Sequence, residues 1–395
     1  MKLFNIFHKY KLEKRLLKIF IAIFIILLFI PIIQRKFNLF AEINLHGVEI
    51  ESKHSEFNFK DFIKEDFQKN FTQWFEDRIG FRAELIKTNN QISFDVFEEL
   101  AKNNNSKIIL GKNNWLYEKG NIDSRNNVFK METEFIETEV QKLKEFQDKL
   151  DAKNIPFLLL VSPNKAAIYP EYIPEKYINK KELKNISNYD EIIFFLDKYN
   201  INYFDTHEFL LAQKEINDYL LFPPGGTHWS YYGACLVIEE MIQKLEALDQ
   251  TNLINISCTP VVRDNEPYGH DIDLKNLINL WSDQEINSLS DHPTVTKDQD
   301  RYAYQPNLLF IGDSFSWQIL SIMDDQSLYK ERDFYYYYSR NDTYPEKTFD
   351  LIDKENFDWQ SEVFSKDAII MEINETIEPP FWFGFVDDAL DYLES

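Results

Sequence analysis

Asn307-Leu-Leu-Phe-Ile-Gly-Asp-Ser-Phe-Ser316 carries an apolar run straight into Gly312, Asp313 and Ser314. The run reads as a buried strand. A serine placed directly after a strand stands at the sheet edge, where the following backbone N–H groups are available to an oxyanion. Gly-Asp-Ser alone is short, so its setting decides its meaning. Working outward, further apolar strands are read at 156–161, 201–205, 334–338 and 368–373, with helices at 139–152, 190–199 and 230–248. Continuous apolar strands separated by helices predict an α/β fold, a mainly parallel sheet flanked by helices, with reactive residues gathered at the carboxyl ends of the strands.

The 395 residues carry a net charge of −23, unevenly placed. Residues 1–40 hold eight Lys or Arg against one Glu, a balance of +7 that leaves −30 for the remainder. Such a field repels nucleic acid and favours a neutral or weakly charged polymer as partner. Residues 16–33 are apolar except for Lys18 and span roughly 27 Å as a helix, just enough for a bilayer core. The basic residues 1–15 before this span place the N-terminus inside and the rest outside the cytoplasm. The stretch 31–36 lacks the small residues of a cleavage site, so an uncleaved single-pass anchor is expected. The expected organisation is a basic cytoplasmic tail (1–15), an anchor (16–33), a juxtamembrane linker (34–56) and an extracytoplasmic domain (57–395) facing the periplasm or cell exterior. Within it, 57–105 reads as a helical layer. There Phe59, Phe62, Ile63, Phe67, Phe71, Trp74 and Phe75 form a stripe expected to pack on a core. Export makes a Cys235–Cys258 disulfide possible, although two buried thiols fit equally.

A serine hydroxyl needs a base, and seven histidines are available. His8 falls on the cytoplasmic side, while His46, His54, His270 and His292 lie in polar or irregular stretches. His228 follows Gly225-Gly-Thr and precedes a helix, a place where backbone approaches closely and a side chain can project. It could equally cap that helix or stack on Trp229. Asp205-Thr-His207 has Asp-x-His spacing but is read more simply as strand-end and helix-start structure. A metal site from Asp205, His207 and His228 lacks recognised ligand spacing, and with no P-loop or dinucleotide glycine pattern no cofactor is expected. Glu372, an acid within an apolar strand, is expected to pair with a buried base or to lie near the site.

Gly312-Asp-Ser-Phe-Ser316, Thr227-His-Trp229, Pro163-Asn-Lys165 with Tyr169-Pro-Glu-Tyr-Ile-Pro174, Gly111-Lys-Asn-Asn-Trp-Leu-Tyr117, and Asn70-Phe-Thr-Gln-Trp-Phe with Gly80-Phe-Arg82 occur in order. Together they resemble the AlgJ/AlgX-like, alginate O-acetyltransferase-like family of the SGNH-hydrolase fold, over about residues 45–375. The resemblance implies a serine enzyme that moves acetyl groups onto an exported polysaccharide, with a membrane-bound O-acyltransferase partner as donor. It carries the nucleophile to Ser314 and the base to His228. The family's aspartate would fall on Gly226. The orienting acid is therefore expected elsewhere, most plausibly Asp205 at a strand end; a backbone carbonyl, a Ser-His dyad and a catalytically silent polysaccharide-binding protein are the alternatives. An acetyl esterase would use the same residues. Asn164 and Arg340, near strand ends, are candidate donors to an oxyanion or a sugar hydroxyl.

Overall fold

The computed structural model describes residues 2–47, 57–100, 108–298 and 303–394. The end of the expected linker with His54, and the last residues of the expected helical layer, lie outside them. The chain divides into two units, one of residues 1–101 with 276–283 and one of 102–275 with 284–395.

In the first unit the helix Lys2–Phe37 contains Lys14–Phe37, a stretch long and apolar enough to cross a membrane. Asn38 closes it in the left-handed conformation, φ 45°, donating its N–H to Gln34 O. Three helices follow, Phe59–Ile63, Asp66–Glu76 and Arg82–Phe97. The last is tied to the 276–283 segment, since Asn90 Nδ2 donates to Ile278 O at 2.9 Å and Trp281 Nε1 to Thr88 Oγ1 at 3.0 Å. The first two bury none of their residues. The aromatic stripe expected to pack on a core is thus not buried among the described residues of this unit.

The second unit is built on seven strands: β1 (Phe157–Ser162), β2 (Tyr203–Asp205), β3 (Asn307–Gly312), β4 (Glu331–Tyr336), β5 (Arg340–Tyr344), β6 (Phe349–Leu351) and β7 (Ala368–Asn374). Their order is β6-β5-β4-β3-β7-β1-β2. From β4 to β2 every neighbour is parallel, whereas β5 and β6 return antiparallel, so the sheet is mixed. Period-two alternation divides each central strand between two cores. Leu158, Leu160, Leu308, Phe310 and Ile370 face the helices Tyr231–Asp249 and Ser316–Gln326. Phe157, Leu159, Leu309, Ile311, Ile369 and Met371 face the opposite way, among residues of Thr133–Asp151 and Phe385–Glu394.

Apart from this sheet, Ile256–Asp264 and Ser290–Lys297 form an antiparallel pair. The Cys235–Cys258 disulfide, Cα–Cα 6.0 Å, joins this pair to the helix Tyr231–Asp249 and resolves the choice the sequence left open. The long connection between the two strands, 265–289, holds the short helix Asp273–Leu277.

Candidate active site

Ser314 follows β3 at the carboxyl edge of the sheet, in a turn that leads into the helix Ser316–Gln326. The turn is held from below by two buried acids. Asp313 Oδ1 accepts from Phe315 N at 2.8 Å and Oδ2 from Asn374 N at 3.3 Å, so this carboxylate faces away from the serine and its base. Glu372 Oε2 accepts from Asp313 N at 3.2 Å and Ser316 Oγ at 3.0 Å. No basic group pairs with Glu372 among the described residues; its place in an apolar strand reflects support of the turn that bears Ser314. Burial, and then the charge of Asp313, push the Glu372 carboxyl well above the usual carboxylate range. A group with a raised folded-state pKa loses its stabilising contribution as pH climbs from the unfolded value toward the folded one. Glu372→Gln copies the neutral form and does not titrate. Its stability relative to the unmodified chain should therefore rise with pH above about 4.5, a trend that unfolding at pH 5 and pH 8 will measure.

His228 arrives on a loop fixed by a buried lysine. Lys165 is fully buried, and its Nζ donates to Pro223 O, Pro224 O and Gly226 O at 2.6, 2.8 and 2.7 Å, over the rings of Trp115 and Tyr117. Burial lowers its pKa well below the ordinary lysine value, against the opposing charge of Asp273. Trp229, also fully buried, donates Nε1 to Phe315 O at 3.0 Å and so ties the residue after His228 to the residue after Ser314. Between these tethers His228 Nε2 lies 2.8 Å from Ser314 Oγ.

The other ring nitrogen, Nδ1, is 2.7 Å from Asp273 Oδ2. Asp273 Oδ1 accepts from Thr227 N at 2.8 Å and Leu274 N at 2.6 Å, which fixes the carboxylate on both sides. Lys275 N donates to Gly225 O at 2.9 Å and closes the seam between the two loops. Burial works against the imidazolium, but the Asp273 hydrogen bond and charge, helped by Asp313, outweigh it and raise the His228 pKa above its ordinary value.

Asp205 is not part of this arrangement. It caps the helix Thr206–Ile216, accepting from His207 N at 3.0 Å and Glu208 N at 3.1 Å through Oδ1, and from Tyr189 OH at 2.7 Å through Oδ2. The reason is topological: β2 lies three places from β3, roughly 14 Å at the usual strand spacing. His207 instead faces Glu375, 2.7 Å from Nδ1 to Oε2. Asn164 caps the helix Lys165–Ile168 through Ala167 N, at the end of a strand two places from β3. Arg340 opens β5, with its guanidinium over the Phe349 ring at 5.0 Å.

Nearer the serine are two residues the sequence reading did not single out. Asn374 ends β7, the strand beside β3, and its buried Nδ2 has no hydrogen-bond partner among the described residues. Tyr337 N donates to Gly312 O at 2.8 Å, and its phenol, raised by burial, is drawn partly back down by the Ser314 hydroxyl. His228, His270 and Asp273 place one ligand atom each within 4.8 Å of one another, the group best able to hold a metal among the described residues. Two of the three already share a hydrogen bond, so the arrangement reads as an oriented base.

Gly226 explains why the acid lies where it does. A Cβ there would sit 2.7 Å from His270 O and 2.9 Å from Asp271 O, both backbone atoms. The absent side chain is the space through which the segment bearing Asp273 passes.

The family model described as "SGNH hydrolase-like domain, acetyltransferase AlgX" matches residues 108–323, more than half of the chain. No curated protein matches it. Among solved structures, the O-acetyltransferase domain of Pseudomonas putida AlgJ is similar at 16% identity and TM-score 0.45, over 71% of this chain and 98% of that one. Pseudomonas aeruginosa AlgX is similar at 12% and 0.44, over 71% and 66%. Bacillus cereus PatB1 is similar at 12% and 0.44, over 71% and 100%.

Proposed function

Because the chain belongs to the family of SGNH hydrolase-like acetyltransferase AlgX domains, we propose that it is an O-acetyltransferase that works through an acyl-serine at Ser314 and modifies an exported polysaccharide. The observation that carries this reading is the continuous contact from Ser314 Oγ through both nitrogens of His228 to Asp273. In the first half-reaction Ser314 Oγ attacks the acetyl carbonyl while His228 Nε2 takes the hydroxyl proton; the proton then passes to the departing donor group as its bond to the acyl carbon breaks. In the second, His228 takes a proton from a sugar hydroxyl, whose oxygen attacks the acyl-serine, and returns it to Ser314 Oγ. Asp273 holds the ring in the tautomer that leaves Nε2 free and stabilises the imidazolium between the two transfers. The Ser314 N–H, which has no acceptor among the described residues, and Asn374 Nδ2 are the proposed donors to the oxyanion.

The donor is proposed to be a membrane-bound O-acyltransferase. Lys14–Phe37 would anchor the chain, with the basic N-terminus inside and the site in the periplasm or cell exterior. The disulfide supports such an oxidising compartment. The alternative of a silent binding protein drew on Gly226, and it loses that support once Asp273 occupies the acid's role.

The test is to expose the detergent-solubilised chain to p-nitrophenyl acetate and map the adduct by peptide mass spectrometry. The acetyl group is expected on Ser314, and a neutral oligosaccharide should speed its release by accepting it. An adduct on Ser316, or none, would sink the mechanism. Release unaffected by every glycan acceptor would make the protein an esterase.

A further inference from the structure

The helix pair Phe59–Ile63 and Asp66–Glu76 presents an apolar face that nothing among the described residues of its own unit buries. Phe59 is 68% exposed and Phe71 43%. The apolar positions 59, 62, 63 and 67, 71, 74, 75 follow helical spacing, so both helices are one-sided. The rings form a contiguous row, Phe57 against Phe67 at 5.2 Å, Phe67 against Phe71 at 5.9 Å, and Phe71 against Trp74 at 5.8 Å.

The same unit shows what this row adjoins. Four residues beyond Glu76, Gly80 packs on the end of the long N-terminal helix: a Cβ there would run into Pro31 O and lie 2.9 Å from both Arg35 N and Gln34 Cβ. Phe81 meets Phe40 at 5.8 Å. Pro31 to Arg35 is where the apolar run gives way to Gln34, Arg35 and Lys36. The helix Asp66–Glu76, about 16 Å long, therefore ends beside the point where the span leaves hydrocarbon. Phe29, Ile32 and Ile33 on the span are exposed as well.

We infer that the helices Phe59–Ile63 and Asp66–Glu76 lie in the membrane–water interface on the exported side, with the Phe/Trp face inserted among lipid. The inference rests on the reading of Lys14–Phe37 as a membrane span. A short one-sided helix with Phe and Trp on its apolar face and charges opposite is the type that lies in that interface, about 5–10 Å deep. Residues 57–77 carry three Lys against five Asp or Glu, so apolar insertion and not attraction to anionic headgroups holds them.

The test uses the whole chain in phosphatidylcholine nanodiscs, with nitroxide attached in turn to Phe62→Cys, Phe71→Cys, Lys69→Cys, Gln73→Cys and Leu28→Cys. Relative collision with oxygen and a water-soluble nickel chelate gives depth. Positions 62 and 71 are expected at interfacial depth, 69 and 73 in water, and 28 deep in lipid. If 62 and 71 are open to nickel while 28 stays in lipid, the interfacial placement is overturned and the anchor stands. If 28 is open to nickel, the anchor itself fails. Shielding of 62 and 71 from both reagents would mean that protein covers the face, and would also overturn the inference.

Discussion

Asp273→Asn should lower acetyl transfer by about 10⁴-fold while leaving the fold intact. Asp273 Oδ2 receives the His228 Nδ1 proton at 2.7 Å, and an amide can present its NH2 group there instead. That would favour the tautomer protonated on Nε2, which cannot take a proton from Ser314. The pH profile separates loss of orientation from general damage. In the unmodified chain the neutral base appears only above a pKa raised past the ordinary histidine value of about 6.5, so activity should climb through that range with increasing pH. Without the Asp273 charge that rise should shift to lower pH, because burial, which disfavours imidazolium, is then less opposed. Asp205→Asn, which keeps an oxygen to cap the helix, should change stability little and leave transfer within a few-fold. Single-turnover rates across pH for both variants give the answer. A larger loss from Asp205→Asn than from Asp273→Asn would return base orientation to Asp205.

Gly226→Asp should destabilise the protein by on the order of 3–5 kcal/mol and abolish acyl-serine formation. The added Cβ meets two backbone carbonyl oxygens at 2.7 and 2.9 Å, and neither can rotate away as a flexible side chain could. The carboxylate would also enter beside two backbone acceptors, His270 O and Asp271 O. Relief requires moving the 270–273 segment, which takes Asp273 from His228. Gly226→Ala isolates the steric part, roughly 1–3 kcal/mol. Thermal unfolding and Ser314 labelling of both variants measure the effect. Higher activity in Gly226→Asp would show that an acid at 226 can orient His228, contrary to the arrangement found here.

The alternating strands and helices were legible because buried parallel strands read as unbroken apolar runs. β1, β3 and β7 lie close to their expected positions for that reason. β5, Arg-Asn-Asp-Thr-Tyr, and the three-residue β6 have no such run, and so the antiparallel turn of the sheet went unread. Ser314 and His228, which the structure brings to 2.8 Å of one another, each adjoin a recognisable strand or helix start, and the family resemblance singled them out among the other candidates. Asp273 could not be found this way. It lies 45 residues from His228, in a polar connection between two strands outside the main sheet, where no periodicity marks it. The available signal was indirect: a glycine where a side chain was expected means that something else needs the space. The stripe from Phe59 to Phe75 is legible as the apolar side of helices, but helical spacing is the same whatever covers that side, so it does not say what the partner is.

The close approach at Gly226 also bears on how such a site changes over generations. A side chain at 226 and the His270–Asp273 path exclude one another, so the benefit of an acid at either place depends on the residue at the other. This is sign epistasis imposed by a contact below van der Waals distance. A chain with a side chain at 226 would therefore need another course for the 270–273 segment.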